Sequence, residues 1–339
     1  MKKKNYFIGS SLLFLLVVGT LYFILREQSF SDMYSVITKA NPLYLGLGII
    51  SMLVFIFFEG YCIKVVMDSL GRRITLIDSY KYAFIGFFFS AITPGASGGQ
   101  PAQVYYMKKD GHEITLSTLV LLIALAFYQI VMLVLGSILI LSRYSLVVGQ
   151  VEGYKMFFVY GVIFNIAMVI FLLYMIFAKN VASSIINNFI RFLGKVRIIK
   201  NVEKMIDKIE RLMEQYKQGA THIRTNPIIF LKLFILTIFQ FAASWSVPYF
   251  VYRSLGLNGT KYLDIVSMQA VLDISVASLP LPGGTGAAEN GFIQLFSDLF
   301  GPNMVIPGMM LSRGISFYSL LIISGVIIVF SFKRKKSFF

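Results

Sequence analysis

Residues 80–109 read YKYAFIGFFFSAITPGASGGQPAQVYYMKK. Tyr80–Thr93 is apolar for about 14 residues, whereas a helix rising about 1.5 Å per residue needs about 20 to cross roughly 30 Å of hydrocarbon. The run then meets Pro94-Gly95-Ala96-Ser97-Gly98-Gly99-Gln100-Pro101 and returns through Val104-Tyr105-Tyr106-Met107 to Lys108 and Lys109. Proline and glycine at the end of a helical run stop it. A segment that enters halfway, breaks and comes back to the basic side fits both the length and the charges. The stretch predicts a re-entrant helical hairpin.

Ile265–Leu279 behaves the same way, breaking at Pro280-Leu281-Pro282-Gly283-Gly284-Thr285-Gly286 and resuming as Ala287–Phe300. Pro94-Gly95-x-x-Gly98 and Pro282-Gly283-x-x-Gly286 match position for position. Around the two breaks lie six runs long enough to span: Tyr6–Leu25, Leu43–Met67, Ile114–Leu141, Lys155–Phe177, Ile228–Tyr252 and Pro307–Phe332. One hairpin follows the second run and enters from the cytoplasm; the other follows the fifth and enters from outside. The chain thus reads as helix, helix, hairpin, helix, then the same again upside down. Secondary transporters are built this way, with paired Pro/Gly interruptions at a midplane site. The expected fold is an all-α polytopic membrane protein, one membrane domain with repeat halves at 1–142 and 155–332.

Composition agrees. The chain is 57% hydrophobic and 14% charged over 339 residues, against roughly 25% charged in soluble domains. A net charge of +15 raises nucleic acid as a partner, but the basic residues gather beside helix ends, where anionic headgroups and the positive-inside rule account for them. Lys2–Lys4, Arg72, Arg73, Lys108, Lys109, the connector and Lys333–Lys336 fall inside when both termini are cytoplasmic, leaving only scattered cations such as Arg26, Arg143 and Arg253 outside. Tyr6–Leu25 is long for a signal peptide, and Glu27-Gln28-Ser29-Phe30 is no small-residue cleavage site, so it is read as a retained helix. The single cysteine, Cys62, forms no intramolecular disulfide, and His112 and His222 have no ligands at metal spacing, so neither metal nor cofactor is expected. The connector 179–227 is polar and basic, with Val202, Met205, Ile206, Ile209, Leu212, Met213 and Tyr216 at helical spacing. It reads as an amphipathic helix on the inner leaflet, with partner docking as the alternative.

A broken helix in a bilayer exposes N–H and C=O groups that need protein or a wet cavity. The half-helices that restart near Gly99 and Ala287 offer N–H groups and positive dipole ends, which suit a phosphate. Pro94, Gly95, Gly98, Gly99, Pro282, Gly283, Gly284 and Gly286 shape the breaks, either admitting a ligand or letting the hairpins pack tip to tip. Ionisable residues in apolar segments mark functional candidates. Arg313 is the expected phosphate partner, or else pairs with Asp273 or Glu289 or snorkels to the outer interface. Glu59 receives a cationic headgroup, carries a proton or pairs with Lys64. Asp273 and Glu289 flank the second break, and Gln100 and Gln103 follow the first. Gln129, Gln240 and Trp245 read as interhelical glue.

With these residues quoted, the chain resembles the lysylphosphatidylglycerol synthase transmembrane-region family of flippase-like integral membrane proteins. The resemblance rests on Thr93–Pro101, on Pro280–Glu289 and on Arg313. It implies translocation of aminoacylated phosphatidylglycerol or of polyprenyl-phosphate-linked lipid, with Gly98, Gly286, Glu289 and Arg313 at motif positions. Many relatives carry Gly-Glu and a nearby Arg after the first break; here Gly99-Gln100 is followed by Pro101-Ala102-Gln103. The soluble acyltransferase domain of the larger relatives is also expected to be missing.

The resulting expectation is a lipid flippase or scramblase of a bacterial plasma membrane, with the headgroup of a membrane phospholipid bound between the hairpins. A homo-oligomer and a soluble or membrane lipid-modifying enzyme are partners the sequence leaves open. Two rivals stand beside it. An aquaporin-like channel would need Asn-Pro-Ala at the half-helix starts, and neither break has it. An aminoacyl-phosphatidylglycerol synthase would need a separate catalytic domain and a transfer-RNA surface, for which Lys179–Arg224 is the basic candidate. No Ser/His/Asp or Cys/His set can be assembled in the membrane part, so an enzyme is not expected.

Overall fold

A computed structural model describes residues 38, 40–177, 202–277 and 279–333. Among the described residues all regular structure is helical. Five helical stretches are long and apolar enough to cross a bilayer: Pro42–Ser69, Ile114–Ser142, Tyr144–Phe177, Pro227–Ser254 and Val305–Val329. They coincide with five of the expected runs, and the chain is an all-α multi-pass membrane protein. The remaining run, Tyr6–Leu25, lies outside the described residues.

The first half holds α1 (Pro42–Ser69), α2 (Leu76–Ile92), α3 (Gly99–Lys109) and α4 (Ile114–Ser142). Next come α5 (Tyr144–Val151), α6 (Lys155–Phe177) and the connector helix α7 (Val202–Arg224). The second half holds α8 (Pro227–Trp245), α9 (Val247–Ser254), α10 (Tyr262–Val276), α11 (Ala287–Phe300), α12 (Val305–Arg313) and α13 (Leu320–Lys333). A single turn of π-helix, Gly314–Ser319, joins the last two.

Local chemistry sets the ends. Asn41 caps α1 by accepting from the Leu43 N–H at 3.0 Å, with Pro42 as the first helical residue. Thr75 caps α2 by accepting from the Asp78 N–H at 3.1 Å. Inter-helix loops are pinned by ion pairs of Arg72 with Glu113 and Lys81 with Asp110. Lys64 pairs with Asp68 at 2.7 Å and donates to the Ile74 carbonyl at 2.8 Å, so it is not the partner of Glu59.

Burial divides the helices by face. In α6, Met156, Ile163 and Ile170 are exposed, while Gly161, Asn165, Leu172 and Ile176 are buried. A Cβ at Gly161 would sit 2.2 Å from the Ile274 carbonyl oxygen, so the small residue lets α6 lie directly on α10. Asn165 Nδ2 completes that contact by donating to the same carbonyl at 3.0 Å. The exposed Ile and Met side chains have no aqueous rationale and suit contact with lipid tails.

Each break is the tip of a helical hairpin. In the first, α2 and α3 run antiparallel, with Ser90 against Gly99, Gln103 donating to the Tyr82 carbonyl at 3.1 Å and the Tyr82 hydroxyl donating to Asp110 at 2.8 Å. In the second, α10 and α11 do the same, with Val276 near Gly284 and Leu272 near Gly291. Across the chain, α2 lies on α13, α10 lies on α4, and α1 and α8 pack on each other. The connector helix lies against α4 and α8, burying Tyr216, Ala220 and Ile223, and the Tyr216 hydroxyl donates to the Met175 carbonyl at 3.1 Å. Its preceding part, residues 178–201, lies outside the described residues.

Candidate functional site

Both tips are one turn of 3-10 helix, Pro94–Ala96 and Pro282–Gly284, with left-handed glycines at matching positions: Gly95 (φ 58, ψ 29) and Gly283 (φ 58, ψ 16). A left-handed residue directly after proline reverses the chain in the fewest residues, and glycine adopts it without a Cβ clash. The two turns touch, with the Gly95 Cβ direction ending 3.9 Å from Pro280 Cα.

Behind the first tip, the chain is closed by neutral groups. The Gly98 N–H donates to Thr93 Oγ1 at 2.8 Å, and that hydroxyl donates to the Phe89 carbonyl at 2.6 Å. A Cβ at Gly99 would fall 2.1 Å from Ser90 Oγ, so Gly99 serves close packing of α3 on α2. Gln103 is 4% exposed and committed to Tyr82; Gln100 is half-buried.

Charges close the second tip. Gly286 caps α11, and its N–H donates to Glu289 Oε2 at 2.6 Å. Glu289 Oε1 accepts from Arg313 Nε at 2.8 Å, and Arg313 Nη2 donates to the Gly283 carbonyl at 3.0 Å. The guanidinium lies 4.3 Å from the centre of the Phe317 ring. Both charged side chains are 14% exposed. Arg313 therefore ties the final helix to the turn and to the start of α11. Of the partners the sequence offered it, Glu289 is the one bonded.

A cavity of about 320 Å³ opens where the tips meet. That is the low end of small-ligand sites, about 300–1,000 Å³. Of the candidates named from sequence, Gly95, Gly283, Gly284, Asp273 and Arg313 line it. Pro94, Pro282, Gly98, Gly99, Gly286 and Glu289 build the tips behind the wall, and Gln100 and Gln103 stand off it. Glu59 is half-buried on α1, one helical turn from the wall residue Phe55, and makes no hydrogen bond or ion pair among the described residues.

Asp273 accepts from Trp245 Nε1 at 2.7 Å and from Gln269 Nε2 at 2.8 Å. Trp245, read from sequence as helix glue, thus positions a carboxylate of the cavity. Gln269, Ser312 and Tyr128 also reach the wall and were not singled out. Gln269 stands four residues before Asp273, a spacing that placed both on one face of α10 and could have flagged it. No three His, Cys, Asp or Glu side chains cluster as metal ligands among the described residues.

Residues 8–324 match the family model described as the lysylphosphatidylglycerol synthase TM region. A UPF0104 membrane protein of Archaeoglobus fulgidus is 24% identical over 89% of this chain and 91% of its own length. An uncharacterised protein of Mycoplasma genitalium is 23% identical over 94% of this chain and 86% of its own.

Proposed function

The chain belongs to the lysylphosphatidylglycerol synthase TM region family, and we propose that it is a lipid flippase or scramblase of a bacterial plasma membrane, with both termini in the cytoplasm. The two hairpins enter from opposite faces and present the headgroup cavity at mid-bilayer. Acyl tails stay in lipid while the headgroup passes between the tips. The observation that carries this reading is the cavity itself. It lies between two broken helices in a membrane-spanning fold, with Arg313 and Asp273 in its wall.

Arg313 bonds through Nε and Nη2, which leaves Nη1 to receive a phosphate oxygen. Asp273 faces any ammonium carried on the same headgroup. Since Glu289 already takes the Gly286 N–H, the α11 terminus contributes to anion binding mainly by holding Arg313 in place. The substrate is a phospholipid with an anionic or aminoacylated headgroup, or a polyprenyl-phosphate-linked lipid. A lipid-modifying enzyme is a fitting partner.

The test is translocation of fluorescent lipids in proteoliposomes, read by bleaching from outside. Phosphatidylglycerol and its lysyl ester are expected to cross faster than in protein-free vesicles. Arg313→Ala and Glu289→Ala should each slow them at least tenfold in folded protein. Equal rates with and without protein would end the proposal.

A further inference from the structure

Asp273 is the uncompensated charge of the cavity. Both its oxygens accept from neutral donors, Trp245 and Gln269. No Lys, Arg or His among the described residues forms an ion pair with it. Arg313 stands within electrostatic reach but is bonded to Glu289. With Asp273 ionised, Asp273, Glu289 and Arg313 together carry a net negative charge, and a site in low dielectric holds such a charge only with a counter-ion or a proton.

Ser312 supplies an independent observation. It is 4% exposed, lies in the same cavity wall, and its Oγ has no hydrogen-bond partner among the described residues. Buried hydroxyls are ordinarily satisfied, so an orphan in a cavity wall points to something that binds there. Ser244 and Ser316 line the same wall, and their hydroxyls donate to the Phe241 carbonyl at 3.3 Å and the Ser312 carbonyl at 2.7 Å. A hydroxyl that already donates keeps its lone pairs. The wall thus offers one carboxylate and several oxygen ligands, a set that matches a single positive charge. A divalent ion would call for more carboxylates.

The groups around Asp273 do not supply that charge. Tyr128 of α4 lies within electrostatic reach of both Asp273 and Glu59. Among the described residues, Arg313 of α12 and, behind it, Glu289 of α11 are the other charged groups that face it. From α8 and α6 come Trp245 and Asn165, which do not titrate; α9 meets α10 at its other end, through Tyr249 on Tyr262.

We propose that Asp273 and Ser312 form a site for a monovalent cation, a proton or an alkali metal ion, whose occupancy is coupled to headgroup loading. The coupling rests on the transport reading above; the binding does not, and binding is what the test reads first.

The full-length protein, purified in detergent, is melted at pH 8 in sodium, potassium or choline chloride of equal ionic strength, and again in choline chloride from pH 8 to pH 5.5. An upward shift of several degrees is expected in one of the two series. A response to sodium or potassium identifies a metal ion, and a response to acid alone identifies a proton. Asp273→Asn should abolish that shift and Ser312→Ala should reduce it. A shift that persists undiminished in Asp273→Asn, or no shift in either series, overturns the proposal. If Asp273→Asn does not fold, an undiminished response in Ser312→Ala overturns it instead. A wild-type protein that binds the cation but moves no lipid retains the site and loses the transport reading.

Discussion

The two hairpin tips share a backbone and differ in chemistry. Pro-Gly opens each one, the glycine is left-handed in each, and each restarts a helix from a glycine. At the first tip the freed N–H of Gly98 goes to a threonine hydroxyl; at the second, that of Gly286 goes to a carboxylate already bonded to Arg313. The break is therefore a geometric device that either half can use, and the charge is placed at one break only. The first tip works as a packed wall. The second carries the charged groups to which the proposed headgroup recognition is assigned.

The largest effect expected from this contrast is at the ion pair. Breaking a mostly buried pair strands the remaining charge and costs about 3–5 kcal/mol, so Arg313→Ala should lower the melting temperature of the detergent-solubilised protein sharply. The double change Arg313→Met with Glu289→Gln should restore most of the stability without restoring lipid translocation. Recovery of both would mean that the pair is structural and has no part in recognition.

Next comes the matched glycine. Gly283→Ala combines a left-handed strain with a Cβ 2.2 Å from the Phe317 ring, and we expect a cost of about 2–4 kcal/mol. Gly95→Ala meets nothing closer than 3.9 Å and should cost about 1 kcal/mol. Melting curves that rank them the other way would refute the assignment of the second tip as the more constrained.

How much of this was legible beforehand follows from where the information lies. Length and hydropathy are local, so five of the six spanning runs and the two shortened segments could be read directly, and the Pro-Gly register matched Gly95 with Gly283 before any coordinates. The Arg313–Glu289 contact was one of the partners the charges allowed, because a buried arginine needs an anion and the choice was small. The bond from Trp245 to Asp273 was hidden: an indole on α8 and a carboxylate on α10 meet only through tertiary packing. The orphan hydroxyl of Ser312 was hidden for the same reason, since a serine in an apolar helix is ordinarily satisfied by its own backbone. The docking of α7 depends on Gly219, whose Cβ position lies 2.8 Å from Leu119, a contact that periodicity does not report.

Two smaller effects sharpen the comparison. Thr93→Val removes the neutral cap of the first tip and should cost about 1 kcal/mol, with lipid translocation within twofold of wild type. A transport defect as large as that of Arg313→Ala would place recognition at both tips. Glu59→Gln replaces with a neutral isostere a carboxyl that makes no hydrogen bond or ion pair among the described residues, and the melting temperature should stay level or rise slightly.

Contact between the tips is the most direct thing to measure. In a Cys62→Ala background, Gly95→Cys and Pro280→Cys should be joined by a short bifunctional thiol reagent in native membranes, giving a band of altered mobility that neither single cysteine gives. If the pair stays unbridged, and cysteines at Ser97 and Thr285 are labelled by an impermeant maleimide from opposite sides of the membrane, the breaks do not meet and the cavity between them does not exist.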